Sequence, residues 1–224
     1  MKRRTLDIIF AGGGLAVALI LVVLGYFVYS QYTFAQDYVK QELSAQKISF
    51  TPAANLTAEE KTWKAGSTCL VDFAGQPMET GEQAQCYAKY YIRLHMTNAA
   101  ISAGFPGATY ATLGSTQTDL RNQIAAAKAK GDQATVDATQ KKLDAAAALR
   151  TTMQTGETLS GLLLTVYGFS TIGSIAGIAS YAIFAIAVLM VALSLAGFVH
   201  AFVTPEDEVV FGGQRALSPA PVTA

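Results

Sequence analysis

GETLSGLLLTVYGFSTIGSIAGIAS, residues 156–180, opens a long uncharged run: after Glu157 no Asp, Glu, Lys or Arg occurs before Glu206, leaving 48 residues (158–205) without a charge. One helix of that length extends roughly 72 Å at about 1.5 Å per residue, against a bilayer hydrocarbon core of about 30 Å. The run is therefore either two spans or one span with something added. A two-span hairpin needs a turn near its middle, around 178–183. Ile178, Ala179, Ser180, Tyr181, Ala182 and Ile183 stand there, without the Gly, Pro or Asn that marks a turn. A turn at Gly168 or Gly173 leaves a first arm too short to cross. The reading is one transmembrane helix over 172–199, approached by an apolar helix over 158–171 at the outer membrane surface. Leu159, Leu162, Leu163 and Val166 fall at i, i+3, i+4 and i+7 in that approach, which is one helical stripe. The stripe is expected to pack on an outer domain or to touch lipid.

The other end of the chain has the same character. MKRRTLD precedes Ile8–Ser30, a run of 23 residues with no charge, long enough to span with some tilt. Lys2, Arg3 and Arg4 place residues 1–7 on the cytoplasmic side, since basic flanks stay inside. Tyr26, Phe27, Tyr29, Tyr32 and Phe34 cluster at the far end, where amphipathic rings favour the headgroup zone. A cleaved signal peptide would have a shorter apolar core and a small-x-small site, for which Thr33-Phe34-Ala35 is a poor match. An uncleaved helix over 8–30 is the reading. Two spans return the chain to the cytoplasm, so the tail 200–224, with its Gly and Pro, is expected there as a disordered segment. The expected location is the cell membrane, multi-pass, with both termini cytoplasmic and the central domain outside.

Residues 31–157 carry 12 basic and 12 acidic side chains, a neutral balance that gives no electrostatic case for nucleic acid. Cys69 and Cys86 are the only cysteines, and 16 residues lie between them. In an oxidising compartment they are expected to pair, contributing about 3 kcal/mol through the unfolded state; two buried thiols are the alternative. The domain is expected to be mainly helical. Residues 33–47 continue the first span, 79–104 form a helix ending at Gly104, and 116–131 and 132–159 are rich in good helix formers. Lys130-Gly131-Asp132 is the expected turn of a helical hairpin, with Asp132 as N-cap. The segment 70–73, Leu-Val-Asp-Phe, is expected as a short strand. Tyr87, Tyr91 and His95 share one helical face, either lining a ligand site or packed in the core. Tyr90 and the Leu159–Val166 stripe complete the candidate lining.

Four segments carry a resemblance: QELSAQKISFTPAA (41–54), EQAQCYAKYYIRLHM (82–96), TYATLGS (109–115) and GETLSGLLLTVYGFSTIG (156–173). With their order along the chain they resemble a family of small, uncharacterised two-span membrane proteins of actinobacteria, often labelled aromatic ring-opening dioxygenase. The residues give that label no chemistry. A ring-opening iron centre takes two His and a carboxylate, and the outer domain holds one histidine, His95, with His200 expected at the opposite membrane boundary. No phosphate loop, nucleophile elbow or intramembrane ionisable relay is present. Neither a cofactor nor a metal is implied.

The expected fold is thus an all-α membrane protein, with two transmembrane helices flanking a helical extracytoplasmic domain. Small residues at Gly12 and Ala16, at Gly14 and Ala18, and at Gly173 and Gly177 have the spacing of close helix contacts. They serve either a homo-oligomer or partner interface, or packing of the two spans within one chain. The expected function is a structural membrane subunit or scaffold that self-assembles or joins a larger envelope complex, without catalytic activity. The alternative is an outer module that binds lipid or another apolar ligand.

Overall fold

The computed structural model describes residues 3–62 and 68–203. Among them the chain is helical, with no strand: α1 (Arg3–Ala45), α2 (Ala58–Thr62), α3 (Cys69–Asp72), α4 (Gly81–Cys86), a π-helix (Tyr87–Ile92), α5 (Arg93–Ser102), α6 (Tyr110–Ala129) and α7 (Gln133–Val203). Both α1 and α7 are long and apolar enough to cross a membrane. The chain divides into two compact units, Met1–Thr33 with Ser174–Ala224, and Phe34–Gly173.

The first unit is an antiparallel helix pair. Gly197 meets Ala11, Ser194 meets Gly14, Phe184 meets Gly25 and Gly177 meets Tyr32, so each advance along α1 runs back along α7. Buried positions recur every seventh residue: Ala11, Ala18 and Gly25 on α1, and Ser180, Ala187, Ser194 and Ala201 on α7. A seven-residue repeat winds two helices into a left-handed pair, and small residues let the backbones approach. A Cβ on Gly25 would stand 2.8 Å from the Phe184 ring, and one on Gly177 2.9 Å from the Tyr32 ring. Large apolar side chains such as Phe10, Leu19, Val188 and Phe202 face outward, while Ser180 is 0% exposed. The Ser180 hydroxyl donates to the Gly177 carbonyl at 2.7 Å, so it is buried but satisfied. Asp7 and His200 pair at 3.1 Å at one end, and Tyr29 packs edge-on to Tyr181 near the other.

The Phe34–Gly173 unit has an ordinary apolar core. Val39, Leu43, Phe50, Met78, Leu113, Leu149 and Met153 are buried in it. The hairpin of α6 and α7 turns at Gly131, whose φ of 69° is left-handed. Asp132 follows and accepts from the Thr135 backbone N–H at 3.0 Å and its hydroxyl at 2.6 Å, as the sequence predicts for an N-cap. These bonds hold its carboxyl below the usual carboxylate range, the Thr135 hydroxyl contributing most. Thr80 and Thr109 close capping boxes at the starts of α4 and α6. Cys69 and Cys86 form a disulfide, with Cα atoms 6.0 Å apart.

Three expectations change. The strand expected at 70–73 is a helix, α3: the Thr68 carbonyl accepts from Val71 and Asp72 at 2.8 and 2.9 Å. A four-residue strand with no neighbour leaves its ladder groups unpaired, whereas one helical turn satisfies its own. The separate helices over 158–171 and 172–199 are one, since α7 runs unbroken through both. By contrast, the expected continuation of the first apolar run is present, α1 extending from Arg3 to Ala45. Of the tail 200–224, residues 200–203 belong to α7, and the rest lies outside the described residues, as do Met1 and Lys2.

Candidate functional site

Within the Phe34–Gly173 unit, α1 and α7 leave a groove of about 450 Å³. Tyr38, Val39 and Leu43 of α1 face Leu159, Leu162, Leu163, Val166 and Phe169 of α7, with Ile48 from the following loop. Tyr38 and Phe169 meet edge-on, centroids 6.1 Å apart. The Gln36 amide donates to the Ser170 carbonyl at 3.0 Å beside them, and a Cβ on Gly173 would lie 2.6 Å from Ala35. Polar atoms enter the lining through Glu42, Gln46 and Thr165. The leucine stripe expected from the sequence is thus split. Leu163 is buried in the core, while Leu162 is 62% exposed along the groove.

A second groove, of about 460 Å³, runs between the π-helix with α5 and the middle of α7. Tyr87, Tyr91 and His95 form one wall, and Thr151, Thr155, Gly156 and Leu159 form the other. The rings stack in series, 4.4 Å from Tyr87 to Tyr91 and 4.1 Å from Tyr91 to His95. Phe50 abuts Tyr87 edge-on at 5.6 Å. The widened winding of a π-helix is uncommon and often found at functional sites. Here two of its carbonyls accept from side chains: Ala88 from the Ser160 hydroxyl at 3.0 Å, and Tyr91 from His95 Nδ1 at 2.8 Å. A carbonyl only accepts, so Nδ1 is the donor in this bond, and Nε2 takes no part in it. Burial, with Tyr91 beside it, pushes the Tyr87 phenol up from the usual 10.0 to about 12. The three threonines at 151, 152 and 155 donate their hydroxyls to carbonyls of their own helix.

The candidate lining residues therefore fall in two grooves. Tyr87, Tyr91 and His95 line one; Leu162, Leu163 and Val166 line the other; Leu159 lines both. Tyr90 lines neither and packs, partly buried, on the core. Tyr38, Glu42 and Phe169 were not singled out as lining, although Tyr38 and Phe169 extend the aromatic cluster that the sequence displays. Of the small-residue pairs, Gly173 and Gly177 both face α1 of the same chain. Gly12 has open space where a Cβ would stand, and Ala16 is exposed. The helix contact uses the other pair on the first span, Gly14 and Ala18, and the seven-residue recurrence of Ala11, Ala18 and Gly25 marks that face. Among the described residues, no three His, Cys, Asp or Glu side chains converge as a metal site requires.

These features define an all-helical protein with two helices long and apolar enough to cross a membrane and a disulfide-bonded helical unit. No protein-family model, curated protein or solved structure matches the chain.

Proposed function

We propose that this protein is a two-span cell-membrane protein, both termini cytoplasmic and the Phe34–Gly173 unit outside, that binds the hydrocarbon chain of a membrane amphiphile. The groove between α1 and α7 carries this reading: about 450 Å³, lined mainly by apolar side chains, with Leu162, Leu159 and Phe169 exposed. Exposed apolar lining of this kind marks ligand grooves in general. The disulfide suits an oxidising exterior, and the basic N-terminal flank suits the cytoplasm. In this reading the chain is not an enzyme, needs no cofactor and binds no nucleic acid. Kinship with the actinobacterial two-span proteins belongs to the same proposal and adds no activity to it.

Native mass spectrometry of protein extracted gently from membranes tests the reading. The expected result is a stoichiometric amphiphile on the chain, lost in Leu162→Gln. A clean unliganded mass in the unsubstituted protein overturns it. A second reading, a structural subunit that self-assembles or joins an envelope complex, is favoured by the open face at Gly12, Gly13 and Ala16 of α1.

A further inference from the structure

We infer that the two grooves are halves of one site for a neutral amphiphile with a sugar or polyol headgroup, its chain between α1 and α7 and its headgroup against Tyr87, Tyr91 and His95. The inference rests on the chain-binding reading above and adds the class of ligand.

Continuity is the first observation. Leu159 lines both grooves, so they adjoin at that side chain. Direction is the second. In this unit α1 and α7 run antiparallel, as Ala35 with Gly173 and Tyr38 with Phe169 show. Moving from Tyr38 to Glu42 on α1, and to Gln46 just past its end, therefore moves from Phe169 toward Leu159 on α7, a path of roughly 15 Å at about 1.5 Å per residue. The first groove is aromatic and apolar at its Phe169 end. It gains a carboxylate and an amide toward Leu159, where the second groove begins. An amphiphile has that same polarity, apolar along its chain and polar at one end.

The headgroup chemistry follows from what the walls offer. Tyr87 and Tyr91 supply phenol hydroxyls, which both donate and accept, and His95 supplies the ring nitrogen not engaged with the Tyr91 carbonyl. Among the described residues that line either groove, none is Lys or Arg, and the only charged one is Glu42. Arg93 lines a third pocket, which meets the second groove at Met96 and also holds Glu157, so the charges next to that groove sum to zero. Phosphate recognition draws on Arg, Lys or a helix N-terminus, and a carboxylate beside an anion repels it. The walls thus suit a sugar or polyol headgroup and oppose a phosphate.

The test uses the full-length protein in mild detergent, titrated with three probes of identical acyl chains: monoglucosyl diacylglycerol, diacylglycerol and phosphatidylglycerol. Native mass spectrometry reads the occupancy. The glycolipid is expected to bind about tenfold more tightly than phosphatidylglycerol, the scale of one or two well-made hydrogen bonds. Leu162→Gln should weaken all three. Tyr91→Phe and His95→Ala should each lower the preference for glycolipid over diacylglycerol several-fold. His95 is exposed and Tyr91→Phe keeps the ring, so helical content and the disulfide should persist in both. Phosphatidylglycerol binding as tightly as glycolipid, or a preference untouched by both headgroup variants, overturns the inference. If diacylglycerol still binds and Leu162→Gln abolishes it, the chain-binding reading survives that result. Failure of all three probes removes both.

Discussion

Along its first stretch, up to Thr33, α1 buries Ala11, Ala18 and Gly25; from Phe34 to Ala45 it buries Ala35, Val39 and Leu43. The second long helix changes in the same way. Between Gln133 and Gly173 it buries Leu149, Met153 and Leu163, and beyond Ser174 it buries Ser180, Ala187, Ser194 and Ala201. Two helices thus pack by two rules within one chain. In the Phe34–Gly173 unit the buried positions are taken mainly by large apolar side chains, as in a core that excludes water. In the other unit they stay on the surface and the small ones go between the helices. In the proposed membrane setting the surroundings are themselves apolar, so sequestering leucine would gain nothing and close backbone approach would decide the packing instead.

The widest contrast should appear on truncating one leucine in each unit. Leu113 is 0% exposed and Leu189 is 59% exposed. Leu113→Ala should cost about 2–5 kcal/mol in denaturant unfolding followed by circular dichroism, because it leaves a cavity. Leu189→Ala in detergent should change little, and equal losses would erase the distinction between the units. Enlarging small residues reverses the comparison. Ala187→Leu should destabilise the helix pair by about 1–3 kcal/mol through overpacking. Gly12→Leu, on the open face, should stay within about 0.5 kcal/mol of the unsubstituted protein. If Gly12→Leu keeps the fold yet disperses a discrete large particle in mild detergent, the assembly reading gains at the expense of a solitary lipid binder.

The tyrosine groove adds an effect that depends on pH. An unfolded Tyr87 phenol ionises near 10.0, while in the folded chain it does so only at about 12. Between those values the unfolded state has released a proton that the folded state retains, so rising pH favours unfolding. The contribution is fully present below pH 10.0 and is lost as pH climbs through about 12. Tyr87→Phe should flatten this part of the stability curve measured against the unsubstituted protein. An identical slope in both proteins would show that Tyr87 is not held neutral by its surroundings.

Much of the helix framework was legible residue by residue. The uncharged runs, the Gly131-Asp132 turn and the helix-forming composition of 116–159 are local properties, and the helices follow them. The seven-residue spacing of small side chains was equally present in the letters, but the shorter Gly173/Gly177 pattern drew the eye first. Leu-Val-Asp-Phe at 70–73 misled because β-branched and aromatic residues suit a strand only when a neighbouring strand exists to pair with. The grooves were half legible. The periodicity grouped Leu159, Leu162, Leu163 and Val166 on one stripe, yet nothing local separates buried Leu163 from exposed Leu162.

By itself, the sequence determined which segments are helical and which are apolar, because charge spacing, helix propensity and turn chemistry act within a few residues. It also made the cysteine pairing the only intrachain one available. Tertiary structure decided which of two similar small-residue faces is covered, and that the π-helix stacks Tyr87, Tyr91 and His95 while leaving Tyr90 on the core. It alone brought Tyr38 to Phe169 and made Leu159 common to both grooves. Those outcomes depend on which residues meet across more than a hundred positions of chain, and periodicity describes one helix at a time, never the neighbour it will find.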